Sequence, residues 1–262
     1  MNNNLIDEIK DRLKSESSSG KHALYQVLPE ELRIRLGHVD YNPGSRSEEA
    51  RLDYIKNKIK IKDKVIFDIG CNLGFFSLSF LSLGAAHLIC YEGNKNHADF
   101  VKQAANLLGY QEVITVNNSY YEFSDSSLRA DVGLLLNVLH HVGDDYGDAS
   151  VSKNNARHKI IEQLNKVSES CETLIFQLGF NWRGDSKLPL FTTGTKKELI
   201  EFITEGIEGF WQIESIAVAQ VKTDKEVVYE SINEGNLQRD DALGEFLNRP
   251  LFILKSLRYK RN

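Results

Sequence analysis

The sharpest chemical pattern in the chain is Phe67-Asp68-Ile69-Gly70-Cys71-Asn72-Leu73-Gly74. A carboxylate ends a short apolar run, and two glycines follow before another apolar run begins. Gly70 lets the chain turn tightly and lets a ligand approach the backbone, which a Cβ would block. Gly74 permits close packing where the next helix begins. The spacing, D-x-G-x-x-x-G, is not the G-x-G-x-x-G that makes room for a pyrophosphate, which argues against a dinucleotide. Glu92 lies 24 residues beyond Asp68 (92 − 68), and a carboxylate at that distance can accept both hydroxyls of a ribose. Gly93 beside it leaves room for the sugar.

A second chemical segment is Asn137-Val138-Leu139-His140-His141-Val142. In a helical turn Asn137, His140 and His141 fall at i, i+3 and i+4, on one face. An imidazole titrates near neutrality and can take a proton from an attacking hydroxyl. His140 is the first candidate for this role and His141 the alternate. A third segment, Phe180-Asn181-Trp182-Arg183-Gly184-Asp185, offers Arg183 for an anionic group and Trp182 for stacking on a ring or sugar.

The elements that must position these groups alternate. Apolar runs at Val65–Ile69, His87–Tyr91, Val113–Val116, Asp131–Leu136 and Thr173–Leu178 predict strands. Helices are expected at Phe75–Leu83, Lys95–Leu108 and Ala156–Val167, with Gly109 as a C-terminal stop. Such alternation predicts a doubly wound, mostly parallel α/β sheet. Its ligands sit at the carboxyl ends of the strands, where all three chemical segments begin. Further on, Lys196–Thr204 reads as a helix, and Trp211–Val221 and Pro250–Leu257 as strands. Residues 221–249 form an insertion between those last two strands.

Upstream, Leu5, Ile6, Ile9 and Leu13 share a helical face, and Pro29 and Gly37 bracket a helix over Glu30–Leu36. Ser47 is expected to cap a helix that carries Glu48 and Glu49 in its first turn. Residues 1–60 thus read as a helical extension or lid on a catalytic domain of residues 61–262.

Val65 to Gly74 followed by Tyr91-Glu92 resembles motifs one and two of the class I S-adenosylmethionine-dependent methyltransferases. The Asn137 to Val142 segment resembles their motif four. The resemblance covers roughly residues 60 to 180 by motif and the later strands by order. It implies a seven-stranded sheet whose last strand is antiparallel and inserted beside the sixth. It also implies S-adenosyl-L-methionine as cofactor. Carried over position by position, Asp68 would lie near the methionine ammonium and Gly70 would leave room for the cofactor. Glu92 would bind the ribose. Cys71, Asn72, Gly74, Phe75, Gly93 and Asn137 would line the same site.

The family often has an acid after the third strand for the adenine amine. Here the stretch is Asn117-Asn118-Ser119-Tyr120-Tyr121. Ser119 is the expected substitute, and Tyr120 either meets the cofactor or packs. Some relatives that act on RNA ends hold a metal with Glu, Glu and His where this chain has Asn137, His140 and His141, so no metal is expected. A group of sugar methyltransferases shares the glycine turn and the E-x-N after strand two, but its acidic I-D-x-E-G run at strand four is missing here.

Methyl transfer needs mostly alignment, because the sulfonium is already activated. Phe75, Tyr25 and Tyr41 are candidates to face its positive charge. Tyr25 and Arg46 from the N-terminal segment, with Trp182 and Arg183, are the substrate-side candidates. The expected reaction is O-methylation of a polar small molecule or glycan; the alternatives are an RNA acceptor or a cofactor-binding scaffold.

Composition sets the outer limits. The chain has 262 residues, 41% hydrophobic and 26% charged, which excludes disordered and fibrous classes. Its net charge of −5 counts against a nucleic-acid partner. Cys71, Cys90 and Cys171 give neither zinc spacing nor a disulfide framework, and no span or signal peptide is read, so a reducing, cytoplasmic setting is expected.

Overall fold

The computed structural model describes residues 2–15, 26–41, 43, 46–123, 127–144, 146–223 and 225–260. They form two compact units, 1–120 and 121–262. Tyr25 lies outside the described residues.

In the first unit, helices α1 (Asn2–Ser15), α2 (Glu30–Leu36) and α3 (Glu48–Lys58) precede β1 (Val65–Ile69), α4 (Phe75–Ser82), β2 (His87–Tyr91), α5 (Lys95–Leu108) and β3 (Ile114–Asn117). The strands are parallel in the order β3-β2-β1, with Val65 opposite His87 and Leu88 opposite Ile114. Parallel strands covered on both faces need continuous apolar runs, and four of the five residues of β1 are buried. The helical face that starts at Leu5 and Ile6 does bury Ile9 and Leu13. These two join Leu28, Leu32 and Leu36 and pack against Leu73, Leu78, Phe100 and Ala104 of the βαβ unit. The N-terminal helices therefore share a core with the nucleotide-type half. Each fully buried side chain of this size contributes roughly 1.5–3 kcal/mol of transfer free energy.

The second unit contains β4 (Ala130–Leu136), α6 (Lys153–Lys166), β5 (Cys171–Gln177), α7 (Lys196–Gly206), β6 (Trp211–Val221), β7 (Val227–Ser231), α8 (Gly244–Leu247) and β8 (Leu251–Ser256). Its strand order is β4-β5-β8-β6-β7, parallel for β4 and β5 and antiparallel for the rest. The last strand is inserted beside the sixth, as expected. The doubly wound α/β class is that predicted, with one addition. Residues 221–249 are not only an insertion: Val227–Ser231 folds back on β6 as an edge strand, making eight strands among the described residues where seven were expected. Val227, Val228 and Tyr229 supply its β propensity.

Two local expectations change. Ser47 does precede α3, but it adopts a left-handed conformation (φ 55°) and its hydroxyl caps nothing. Glu48 serves the turn instead, accepting the Arg46 backbone N–H at 3.1 Å. Asn137 also has positive φ (61°), so no helical turn runs through it, and His140 and His141 belong to a short 3₁₀ turn, Leu139–His141.

Candidate active site

Asp68 ends β1 and is buried. Its Oδ2 accepts the Ser77 hydroxyl at 2.6 Å, and Ser77 in turn accepts the Cys90 thiol at 3.2 Å. Burial pushes the Asp68 carboxyl up to about 7; the Ser77 bond opposes this and neighbouring Glu92 adds to it. The turn that follows needs left-handed backbone at Gly70 (φ 74°), Asn72 (φ 54°) and Gly74 (φ 74°). Gly70 donates its N–H to Tyr91 O at 2.8 Å, tying the turn to the end of β2. At Gly74 an added Cβ would lie 3.1 Å from Val101 Cγ2, so this glycine serves close helix packing. Cys71 is buried, and its thiol is pushed upward by its bond with Cys90 and by burial.

Glu92 is a structural junction. Its Oε2 accepts the Asn72 N–H and its Oε1 accepts the Asn94 N–H, each at 2.8 Å. Asn94 caps α5 by accepting the N–H groups of Asn96 and His97. A carboxylate oxygen has further lone pairs, so this geometry still accommodates ribose hydroxyls. The space that a Cβ at Gly93 would fill belongs to the Tyr120 ring, not to open solvent. Tyr120 is itself 47% exposed, with its ring laid against the Gly93 backbone. Ser119 is exposed beside it.

The N-terminal segment closes the helix end of this turn. Gln26 is buried, and its Oε1 accepts the Phe75 N–H at 3.1 Å, while its carbonyl accepts the Tyr41 hydroxyl at 2.7 Å. Glu48 and Arg51 are both buried, 3.7 Å apart, with the Arg51 guanidinium 5.2 Å from the Phe76 ring centre. Burial raises the Glu48 carboxyl, against the lowering pull of Arg51, and burial also raises the Tyr41 hydroxyl. Arg46 enters through its backbone. The pattern that predicted a lid here gave no sign that Gln26 would take the first amide of α4.

The set fits the implied cofactor. Two acids, Asp68 and Glu92, flank a turn whose backbone geometry needs glycine or asparagine. One of them holds its proton to near neutrality, a state that a bound ammonium would reverse.

The second unit carries the other segment. His140 is buried, and its Nδ1 accepts the Gly179 N–H at 3.3 Å. A Cβ at Gly179 would sit 3.0 Å from three atoms of that ring, so the glycine is a flat seat for it. The His140 and His141 ring centres are 4.3 Å apart. His141 is about a quarter exposed, with Nδ1 3.9 Å from Asp144 Oδ2.

The substrate-side pair makes contacts within the protein. Trp182 is buried and spends its indole N–H on Val142 O at 2.8 Å. Arg183 donates Nη2 to Gly143 O and lies 4.2 Å over the Trp182 ring. Both brace the loop after β4. Asn137 likewise is bound from both ends: its Oδ1 accepts Arg249 Nη1 at 2.8 Å and its Nδ2 donates to Gln177 Oε1 at 2.9 Å. Arg249 also pairs with Glu245, which accepts the Phe180 N–H at 2.9 Å. Neither Arg249 nor Glu245 was singled out by motif, because nothing local marks them.

No protein-family model matches the chain. A stretch of 133 residues, 51% of this chain, is 28% identical to tRNA wybutosine-synthesizing protein 2 of Schizosaccharomyces pombe and covers 30% of that protein. A stretch of 61 residues, 23% of this chain, is 41% identical to the probable protein arginine N-methyltransferase 1.2 of Arabidopsis thaliana and covers 16% of it. The chain thus spans under a third of the length of these curated relatives. Two solved structures share its fold. The bifunctional kinase-methyltransferase WbdD has a TM-score of 0.56 at 16% identity, covering 94% of this chain and 46% of its own. Magnesium protoporphyrin IX methyltransferase from Synechocystis, solved with bound S-adenosylmethionine, has a TM-score of 0.51 at 13% identity, covering 94% and 89%. Turn, acid and strand orders agree with these relatives: the chain has the fold of the class I S-adenosylmethionine-dependent methyltransferases and is similar in sequence to methyltransferases over part of its length. None of its described helices is long and apolar enough to cross a membrane.

Proposed function

We propose that this chain methylates an oxygen of a polar small molecule or glycan, with proton removal assisted by the histidines after β4. The observation that carries the reading is the imidazole pair at the carboxyl end of β4, one ring buried and one partly exposed beside Asp144. An alcohol holds its proton at neutral pH, and an imidazole is the side chain suited to taking it as the oxygen becomes nucleophilic. When bound, S-adenosylmethionine supplies a methyl already activated on a sulfonium. Asp68 would pair with its ammonium and Glu92 would accept its ribose hydroxyls. Gly70, Cys71, Asn72, Gly74 and Phe75 shape the turn, and Tyr120 with Ser119 offers the surface for the base. On the acceptor side Trp182 and Arg183 hold the loop, and Arg46 is the remaining cation for an acidic acceptor.

A second reading, an RNA acceptor, has support in the likeness to a protein named for tRNA wybutosine synthesis. The net charge of −5 weighs against it. The experiment is calorimetry with S-adenosylhomocysteine, then transfer of labelled methyl to panels of hydroxylated small molecules, glycans and tRNA. Label on hydroxyl acceptors alone supports the first reading. Label on tRNA alone replaces it. Cofactor binding with no acceptor in any panel favours a cofactor-binding scaffold.

A further inference from the structure

We infer that the two histidines have opposite tautomers and separate tasks: His141 accepts the proton, Asp144 is its positioning residue, and His140 is a fixed neutral donor. This rests on the methyl-transfer reading above for its chemistry, but its geometry stands alone. The Gly179 N–H can only donate, so the His140 nitrogen that receives it, Nδ1, must carry a lone pair. The ring proton of neutral His140 is therefore on Nε2. Charging this ring would require proton entry at the nitrogen already committed to Gly179, inside a site where His140 is 2% exposed. The Gly179 bond thus holds Nδ1 of His140 as an acceptor.

His141 has the reverse arrangement. Asp144 faces its Nδ1 at 3.9 Å, which favours the proton on Nδ1 and leaves Nε2 as the basic nitrogen. An imidazolium formed there would gain the Asp144 charge as partner. With cofactor and acceptor bound, the acceptor's O–H proton would pass to Nε2 as its oxygen bonds to the methyl and the methyl–sulfur bond breaks to release S-adenosylhomocysteine; solvent would later receive that proton.

The loop is held for this. Asp144 donates its N–H to His141 O at 3.0 Å, and Gly143 donates to Tyr146 O at 2.8 Å. Gly143 has φ 77°, and a Cβ there would meet Val151 at 2.8 Å. Trp182 and Arg183 fasten the carbonyls of Val142 and Gly143, the two residues between His141 and Asp144. These two side chains thereby help fix the separation of His141 from Asp144.

Long-range ¹H–¹⁵N correlation of the imidazoles in the full chain tests this, with His140→Gln and His141→Gln assigning the signals. The expected result is an Nε2–H tautomer for His140 and a predominant Nδ1–H tautomer for His141. Asp144→Asn, nearly isosteric, should remove the Nδ1–H preference of His141 and leave His140 unchanged; Asp144→Glu should restore it in part. Identical tautomers in the two rings, or a His141 signal indifferent to Asp144→Asn, overturns the assignment. The activity arm uses whichever acceptor the panels identify: His141→Gln should lower turnover ~10²–10⁴-fold with S-adenosylhomocysteine affinity unchanged. Full turnover in His141→Gln overturns the assignment as well. Absence of S-adenosylhomocysteine binding to the unmodified chain would instead refute the cofactor reading, with the tautomer result unaffected.

Discussion

The backbone N–H of Asn72 donates to Oε2 of Glu92 at 2.8 Å, so the turn after β1 and the acid after β2 form one hydrogen-bonded unit. The carboxylate proposed here for the ribose is also the acceptor that holds the glycine turn in shape. On that proposal binding and local folding share a residue, which changes what its removal should do.

Glu92→Ala deletes the acceptor of two backbone amides, Asn72 and Asn94, and the expected ribose contacts together. Leaving buried donors unsatisfied costs about 1–3 kcal/mol each when water does not replace the partner. The variant should lose stability in urea and bind S-adenosylhomocysteine at least ~10-fold more weakly. Glu92→Gln keeps one acceptor oxygen for the two amides, so it should recover only part of the stability and none of the charge-assisted affinity. Affinity that follows stability in both variants would remove Glu92 from the ribose site.

Asp68 gives a pH signature. Its carboxyl titrates at about 7 in the folded chain against an ordinary 3.8. Between those values the folded state holds a proton that the unfolded state has released, so raising pH favours unfolding. The penalty begins near pH 4 and is complete above about pH 7. Asp68→Asn should therefore raise the urea midpoint at pH 8 and leave it nearly unchanged at pH 4. An equal shift at both values would mean that Asp68 is ionised throughout. The bound cofactor's ammonium should draw the proton off, so calorimetry near pH 6.5 should show proton release that varies with buffer ionisation enthalpy.

Gly93 and Tyr120 form a tight pair, since a Cβ at 93 would overlap the ring. Gly93→Ala should displace Tyr120 and weaken S-adenosylhomocysteine binding. If the ring contributes as a stacking surface, Tyr120→Ala alone should weaken binding, and Gly93→Ala should add little on top of it. Strict additivity would separate the two sites.

The first half was legible because its information is local. The boundaries of β2 and α5 follow from apolar periodicity and from Gly109, and the turn is legible because its glycines are adjacent in sequence. What escaped depends on distance along the chain. Arg249 meets Asn137 across 112 positions, and Gln26 meets Phe75 across 49. No periodicity encodes such pairs. The contacts of Trp182 and Arg183 were not legible for a physical reason: residue type suggests what a side chain can bind, while only the fold brings the carbonyls of Val142 and Gly143 to these two. β7 is short and follows a polar turn, which hides an edge strand inside an apparent insertion.

The Asn137–Arg249 bond supports a strained position. Asn137 holds φ 61°, a region open to asparagine but costly for most side chains, and its amide is fixed by Arg249 and Gln177. Removing the side chain and keeping the strain should therefore cost more than removing both. Asn137→Ala should destabilise by about 1–2 kcal/mol more than Asn137→Gly, since only alanine pays for the left-handed backbone. Arg249→Met should cost about 2–4 kcal/mol, because it leaves the partly buried Glu245 carboxylate without its cation and Asn137 without a donor. Arg249→Met combined with Glu245→Gln should recover part of that loss, since no uncompensated charge remains. Urea unfolding of the four variants measures all of these. If Asn137→Ala and Asn137→Gly unfold at the same midpoint, the left-handed backbone costs nothing and the network is ordinary packing. If they separate as expected while Arg249→Met is mild, the loop after β4 is held by its own turn rather than by the C-terminal segment.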